Sequence, residues 1–140
     1  MENSKQKKLR TVGCFMELHG KFLILQRSPN KPDGNTWGLP AGKVHNGESD
    51  EEAMLREIKE ETGYEAAPKE LELLGIYTWE FPDLHLEFPT YRIRLQKPIN
   101  VKHRSDEHLN FKWVTAKECY AMPDLIRGFH ELLKLTGYIR

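Results

Sequence analysis

Residues 42–64 read GKVHNGESDEEAMLREIKEETGY and hold seven of the chain's 21 acidic side chains. Glu51 to Thr62 has the composition of a strong helix. Ser49 stands where an N-cap belongs, with Glu52 three residues on as its capping-box partner. Gly63 sits where a left-handed C-terminal glycine is favoured. On a wheel of roughly 100° per residue, Met54, Leu55, Ile58 and Thr62 form an apolar sector. Glu57, Glu60 and Glu61 form an adjoining sector, and Glu52, Arg56 and Lys59 take the side farthest from the core. A Glu-rich helix can simply be a solvated face, but such a face more naturally alternates in sign. Like charges three and four residues apart cost roughly 0.2–0.5 kcal/mol a pair. Three carboxylates gathered beside a buried sector therefore call for a counter-charge, which a divalent cation supplies.

Oxygen ligands alone select a hard ion, Mg²⁺ or Mn²⁺. Mg²⁺ keeps several waters and bridges to substrate phosphates, so a few carboxylates on one helix are enough to hold it. Phosphoanhydrides repel an attacking water by their own charge. A metal neutralises that charge and lowers the pKa of a bound water, and a spare carboxylate removes the proton. The pattern thus points to metal-assisted hydrolysis of a phosphoanhydride.

The same stretch resembles the Nudix box, G-x5-E-x7-R-E-U-x-E-E-x-G-U with U apolar. Gly42, Glu48, Arg56, Glu57, Ile58, Glu60, Glu61, Gly63 and Tyr64 fill every fixed position, Tyr64 being the loosest fit. With each fixed residue at roughly 5–7% usage, a chance match is on the order of 10⁻⁹ per starting position. Trp37-Gly38-Leu39-Pro40-Ala41-Gly42 is similar to the family's W-x-L-P-G-G lead-in, with Ala41 replacing a glycine. Phe22 to Arg27 resembles the strand that ends in a basic residue, and Glu107 to Val114 (EHLNFKWV) resembles the late acidic loop and strand. The resemblance covers most of residues 11–120. It implies an α/β (α+β) fold: a Nudix-type α/β/α sandwich with a mixed β-sheet and a loop-helix-loop catalytic box. It also implies a MutT-like pyrophosphohydrolase of acid anhydrides using Mg²⁺ or Mn²⁺, and the two cysteines without CxxC spacing, read as free thiols, suit a reducing cytoplasm.

By that resemblance Glu57, Glu60 and Glu61 bind the divalent ions, with the Gly42 carbonyl as a further ligand. Glu48 is a metal ligand or the partner of Arg56. Glu57 is expected to double as general base, with Glu107 as the rival base or further ligand. Arg56 neighbours Glu57 and is expected to pin a carboxylate by a bidentate bond rather than touch substrate. Gly38 and Gly42 let backbone approach phosphates closely. Arg27 and Lys43 are candidate phosphate contacts, or else surface charges. Trp37, Tyr77, Trp79, Phe81, Phe88 and Tyr91 could stack on a base, although core and cross-strand roles are commoner for such residues.

Family members act on nucleoside triphosphates, nucleotide sugars, ADP-ribose, dinucleoside polyphosphates and capped RNA. Pro82 lies 18 residues past Tyr64, close to but not at the proline position associated with ADP-ribose hydrolases. The tyrosine associated with dinucleoside-polyphosphate hydrolases is absent, since that region holds Glu80, Phe81 and Pro82. By elimination, a nucleoside triphosphate or modified nucleotide is favoured. A non-catalytic Nudix-fold domain that senses a nucleotide or binds RNA is the rival class, but such domains often lose box carboxylates and here all are present.

Outward from the box, Thr11 to Leu18 and Phe22 to Gln26 read as strands joined at His19-Gly20. Ser28 to Thr36 is a loop rich in Pro, Gly and Asn, Trp37 to Pro40 a short apolar link, and Ala41 to Gly47 another loop. Leu71 to Phe81, Leu84 to Leu95 and Phe111 to Val114 read as strands, and Thr115 to Cys119 and Leu125 to Leu135 as helices. Residues 1–10 are expected to be a basic solvated tail and 11–140 one domain. The chain is 140 residues with Lys+Arg and Asp+Glu balanced at 21 each, which argues against a nucleic-acid partner, including an mRNA 5′ end. No apolar run suits a signal or a membrane span. Cys14 and Cys119 have no CxxC spacing and read as free thiols. His19, His45, His85, His103, His108 and His130 lack metal-like spacing and read as ordinary surface or turn residues. The expected partner is a small nucleotide, and the expected state a monomer or homodimer.

Overall fold

A computed structural model describes residues 6–102 and 106–140. Within these, β1 (Lys7–Leu18) and β2 (Lys21–Arg27) form the hairpin expected from the sequence. Its two-residue turn needs positive φ at both positions, and His19 (53°) and Gly20 (79°) supply it. The hairpin pairs only near its turn, Glu17 with Phe22 and Leu18 with Lys21. Beyond that the two strands part like a fork.

Short strands fill the fork. β3 (Trp37–Gly38) pairs with β2, and β4 (Ala41–Lys43) pairs with β1, setting Gly42 opposite Val12. Ala41 to Lys43, expected to be loop, is therefore strand, because β1 offers an open edge there. On the far side of β1, β6 (Leu84–Arg94) runs parallel to it and β5 (Glu72–Phe81) antiparallel to β6. β7 (His108–Val114) pairs antiparallel with β2. The mixed sheet therefore runs β3-β2-β1-β6-β5, with β4 and β7 as side branches.

Alternating residues supply two cores. Val12, Cys14, Met16, Leu23, Leu25 and Ile93 point to one face, against Ala53, Met54 and Ile58 of α1 (Asp50–Thr62). Phe15, Phe22 and Ile24 point to the other. There they meet Cys119 of α2 (Ala116–Tyr120) and Phe129, Leu132 and Leu133 of α3 (Phe129–Leu135). The result is the expected α/β/α sandwich. Both cysteines are free and buried, and burial pushes their thiols up, Cys119 to about 12. No helix among the described residues is long and apolar enough to cross a membrane.

Three boundaries differ most from the expectation, the first being β7, which starts at His108 rather than Phe111 because it pairs as far as Arg27 of β2. Residues 7–10 are not tail: β1 starts at Lys7, since Leu84 to Glu87 of β6 continue the pairing that far. Lys5 lies outside the described residues. The last helix starts at Phe129, not Leu125. Residues 124–126 instead lie alongside Trp37, whose N–H donates to the Asp124 carbonyl (2.9 Å) while its own carbonyl accepts from Ile126 N–H (2.9 Å). Helix and bridge compete for the same backbone groups, and the bridge extends the sheet.

The ends of α1 match the sequence. Ser49 accepts from the Glu52 amide, Glu52 returns the bond, and Gly63 adopts φ 83°. Ser49→Ala removes a cap without touching the core. It is expected to cost about 1 kcal/mol, read as a lower midpoint at unchanged m-value in urea unfolding.

Candidate active site

Several pieces of chain converge on one cleft of about 660 Å³, and its chemistry-bearing side is made by the end of β2, β4, the start of β7 and the middle of α1. Its position follows from the fork. Because β4 lies where β1 and β2 part, its backbone passes over the inner edge of α1. That approach requires a glycine: a Cβ built on Gly42 would stand 2.0 Å from Glu57 Cδ. The Ala41 N–H donates to Glu61 Oε1 (2.9 Å).

Glu57 and Glu61 are 8% and 3% exposed, one turn apart on the buried side of α1. Burial pushes both carboxyls above the ordinary range, Glu61 the further, and Glu61 also meets the charges of Glu57 and Glu107. Such a pair holds a proton more readily than free carboxylates, and a cation can take that proton's place. Glu60, expected beside them, has a side chain 42% exposed. The expected three-carboxylate sector is thus two buried groups and one at the rim.

Arg56 does not lie on the outer side of the helix, as the wheel suggests. Its side chain is 22% exposed and turns inward. Its Nε and Nη2 donate to the two oxygens of Glu48 (2.6 and 3.0 Å), giving the expected bidentate bond. Its Nη1 donates to Glu57 (2.8 Å) and Glu60 (3.3 Å), and Nη2 also reaches the Lys43 carbonyl (2.9 Å). One guanidinium thus ties three carboxylates and β4 together. Hydrogen bonding from Arg56, and then from the His45 amide, holds Glu48 at about 2. Glu48 is Arg56's partner through both of its oxygens, one of its two expected roles.

Arg27, Gly38 and Lys43 line the cleft. Arg27 Nε is held by the Pro32 carbonyl (2.8 Å). Trp37, a candidate substrate contact, is instead core: it is 8% exposed and packs with Leu125 and Phe129. Trp79, Phe81 and Phe88 do form a cleft wall, whereas Tyr91 is buried in the α1-side core. Glu107 lines the floor, and so does His108, which the sequence does not single out. His108 is 5% exposed, and a ring nitrogen lies within 4.8 Å of ligand oxygens of Glu61 and Glu107. No local spacing announces it, because its neighbours come from α1 and from the loop before β7. His103 lies outside the described residues.

Residues 7–133 match the model of the NUDIX domain. An 8-oxo-dGTP diphosphatase of Proteus vulgaris is 34% identical over 82 residues, 58% of this chain and 71% of that protein. An ADP-ribose pyrophosphatase of Methanocaldococcus jannaschii is 46% identical over 67 residues, 48% of this chain and 38% of that protein. The crystal structure of a MutT protein from Methanosarcina mazei Go1 superimposes with a TM-score of 0.83 at 25% identity, covering 95% of each chain. Across its first curated relatives this chain spans 38% to 71% of their length.

Arg56 is the one cation ion-paired to Glu57 or Glu60 among the described residues. Arg56→Met is expected to destabilise the fold by about 2–3 kcal/mol, discounted from a fully buried pair for its partial exposure. Arg56→Lys is expected to recover less than half of that, because a point charge cannot reproduce the fork. Denaturant unfolding of both variants checks this; full recovery by lysine would contradict the bidentate clamp.

Proposed function

The chain belongs to the Nudix hydrolase family, and from that premise we propose that it hydrolyses a phosphoanhydride bond in a small nucleoside-diphosphate-linked molecule with Mg²⁺ or Mn²⁺. The observation that carries this is the pair of buried carboxylates at the floor of a cleft, Glu57 pressed against Gly42 and Glu61 held by the Ala41 amide. The family-implied metal fits these residues: hard oxygen donors are gathered where, among the described residues, Arg56 is the one cation ion-paired to either acid.

Glu57, Glu60, Glu61 and the Gly42 carbonyl would hold the ion, and Glu107 would add a carboxylate from the opposite side of the floor. When bound, the ion supplies charge neutralisation for the phosphates and a lowered pKa for a coordinated water. Glu57, within reach of the same water, would take its proton. Arg56 is a positioning residue that fixes Glu57 and Glu48 in one plane of charge. Arg27 and Lys43 put positive charge at the cleft edge for the outer phosphates. Gly38 keeps backbone close to them, since the nearest atom to a Cβ built there belongs to Ile126 (3.2 Å), leaving little room for a side chain. Trp79, Phe81 and Phe88 offer the base an aromatic wall.

The similarity to an 8-oxo-dGTP diphosphatase supports a nucleoside triphosphate or modified nucleotide as substrate. The similarity to an ADP-ribose pyrophosphatase covers less of each chain and makes ADP-ribose the competitor to test beside it. A phosphate-release screen over nucleoside triphosphates, oxidised nucleotides, ADP-ribose, nucleotide sugars and dinucleoside polyphosphates, with Mg²⁺ and then Mn²⁺, separates the two. Turnover is expected to vanish with EDTA. Glu57→Gln is expected to lower kcat by about 10²- to 10⁴-fold with the fold intact. A near-wild-type rate in that variant would remove Glu57 from the role of base, and silence across the panel with and without EDTA would favour a nucleotide-sensing domain.

A further inference from the structure

β7 opens on a histidine at the cleft floor. A carboxylate oxygen of Glu61, one of Glu107 and a ring nitrogen of His108 all lie within 4.8 Å of one another. The three are fixed from two sides. Glu61 is held on α1 and by the Ala41 amide. Glu107 and His108 are held by the end of β2: Ser28 N–H donates to the Glu107 carbonyl (2.8 Å), and Arg27 pairs with His108 across a register shift at Gln26/Arg27. In a regular strand, adjacent residues point to opposite faces. Glu107 belongs to the turn before β7 and the irregular pairing re-aims His108 at the strand's first position, so both offer donor atoms to the same point.

We propose that His108 is a nitrogen ligand of the divalent-metal centre, sharing an ion with Glu61 and Glu107 beside an oxygen-only position served by Glu57 and Glu60. The proposal rests on the metal-dependent reading of the cleft and deepens it. Three donors about 2.1 Å from one ion lie roughly 3–4 Å apart, so side-chain rotation that draws these atoms together by roughly 1–2 Å closes the set. Two carboxylates with one neutral imidazole form a borderline donor set. Such a set favours Mn²⁺ and later first-row ions over Mg²⁺, which takes oxygen. The two positions therefore differ in preference, and Mn²⁺ is the ion that reports on the histidine.

Pulsed electron paramagnetic resonance of the Mn²⁺-loaded protein tests this directly. Wild type grown with ordinary and with ¹⁵N-labelled histidine is expected to show nitrogen modulation of a coordinated imidazole that changes with the isotope. His108→Asn is expected to lose the modulation while Mn²⁺ remains bound at the oxygen position. His45→Asn, whose histidine also lines the cleft, is expected to retain it. Bound Mn²⁺ without histidine modulation, or modulation that survives in His108→Asn, would overturn the role of His108 and leave the metal-dependent reading standing. Absence of any bound Mn²⁺ would overturn both. The isotope comparison needs no substitution, so it decides the matter even where a variant misfolds.

Discussion

Everything at the cleft depends on the close approach of β4 to α1. The strand lies against the helix only because residue 42 has no side chain, and the carboxylate of Glu57 occupies the volume a Cβ would fill. That approach buries two acids that a helix alone would leave in water. It also brings the Ala41 amide onto Glu61. Without it, Glu57 and Glu61 would be ordinary solvated side chains with ordinary titration.

Two buried carboxylates one turn apart are costly unless charge or hydrogen bonds compensate. Arg56 supplies part of this by spending one guanidinium on Glu48, Glu57, Glu60 and the Lys43 carbonyl. The same contacts tie the loop, helix and strand of the box into one rigid unit. A second ion-paired arginine reinforces the arrangement from outside: Arg10 of β1 grips Asp50 at the start of α1 and Glu87 of β6. The compensation is incomplete at Glu61, whose neighbours Glu57 and Glu107 add like charge. The residual negative potential at the floor is what suits the cleft to a cation and, through it, to phosphates.

Much of this was legible in the chain because the signals are local. Caps, turn residues and two-residue alternation act within a few positions, so α1, the His19-Gly20 turn and the principal strands are readable at nearly their observed bounds. The errors fall where a distant partner decides. β4 reads as loop because nothing in Ala41 to Lys43 reveals the open edge of β1. Leu125 to Gly128 read as helix because nothing local reveals the bridge to Trp37, and the choice between core and substrate contact for Trp37 stays open for the same reason. Arg56 illustrates the limit of a wheel: backbone angle places its Cβ outward, but a long side chain folds back to its acids.

A capped helix carrying Glu57, Glu60 and Glu61 at fixed spacing between glycines can be read from the chain alone, since helical geometry follows from neighbours along it. Which of those acids lose their water cannot, because burial depends on what another strand places over them. The meeting of Glu107 and His108 with Glu61 is likewise a product of the tertiary structure. Donor atoms from segments far apart in sequence converge through the β2–β7 ladder, and register between strands is a property of the folded sheet, not of either strand alone.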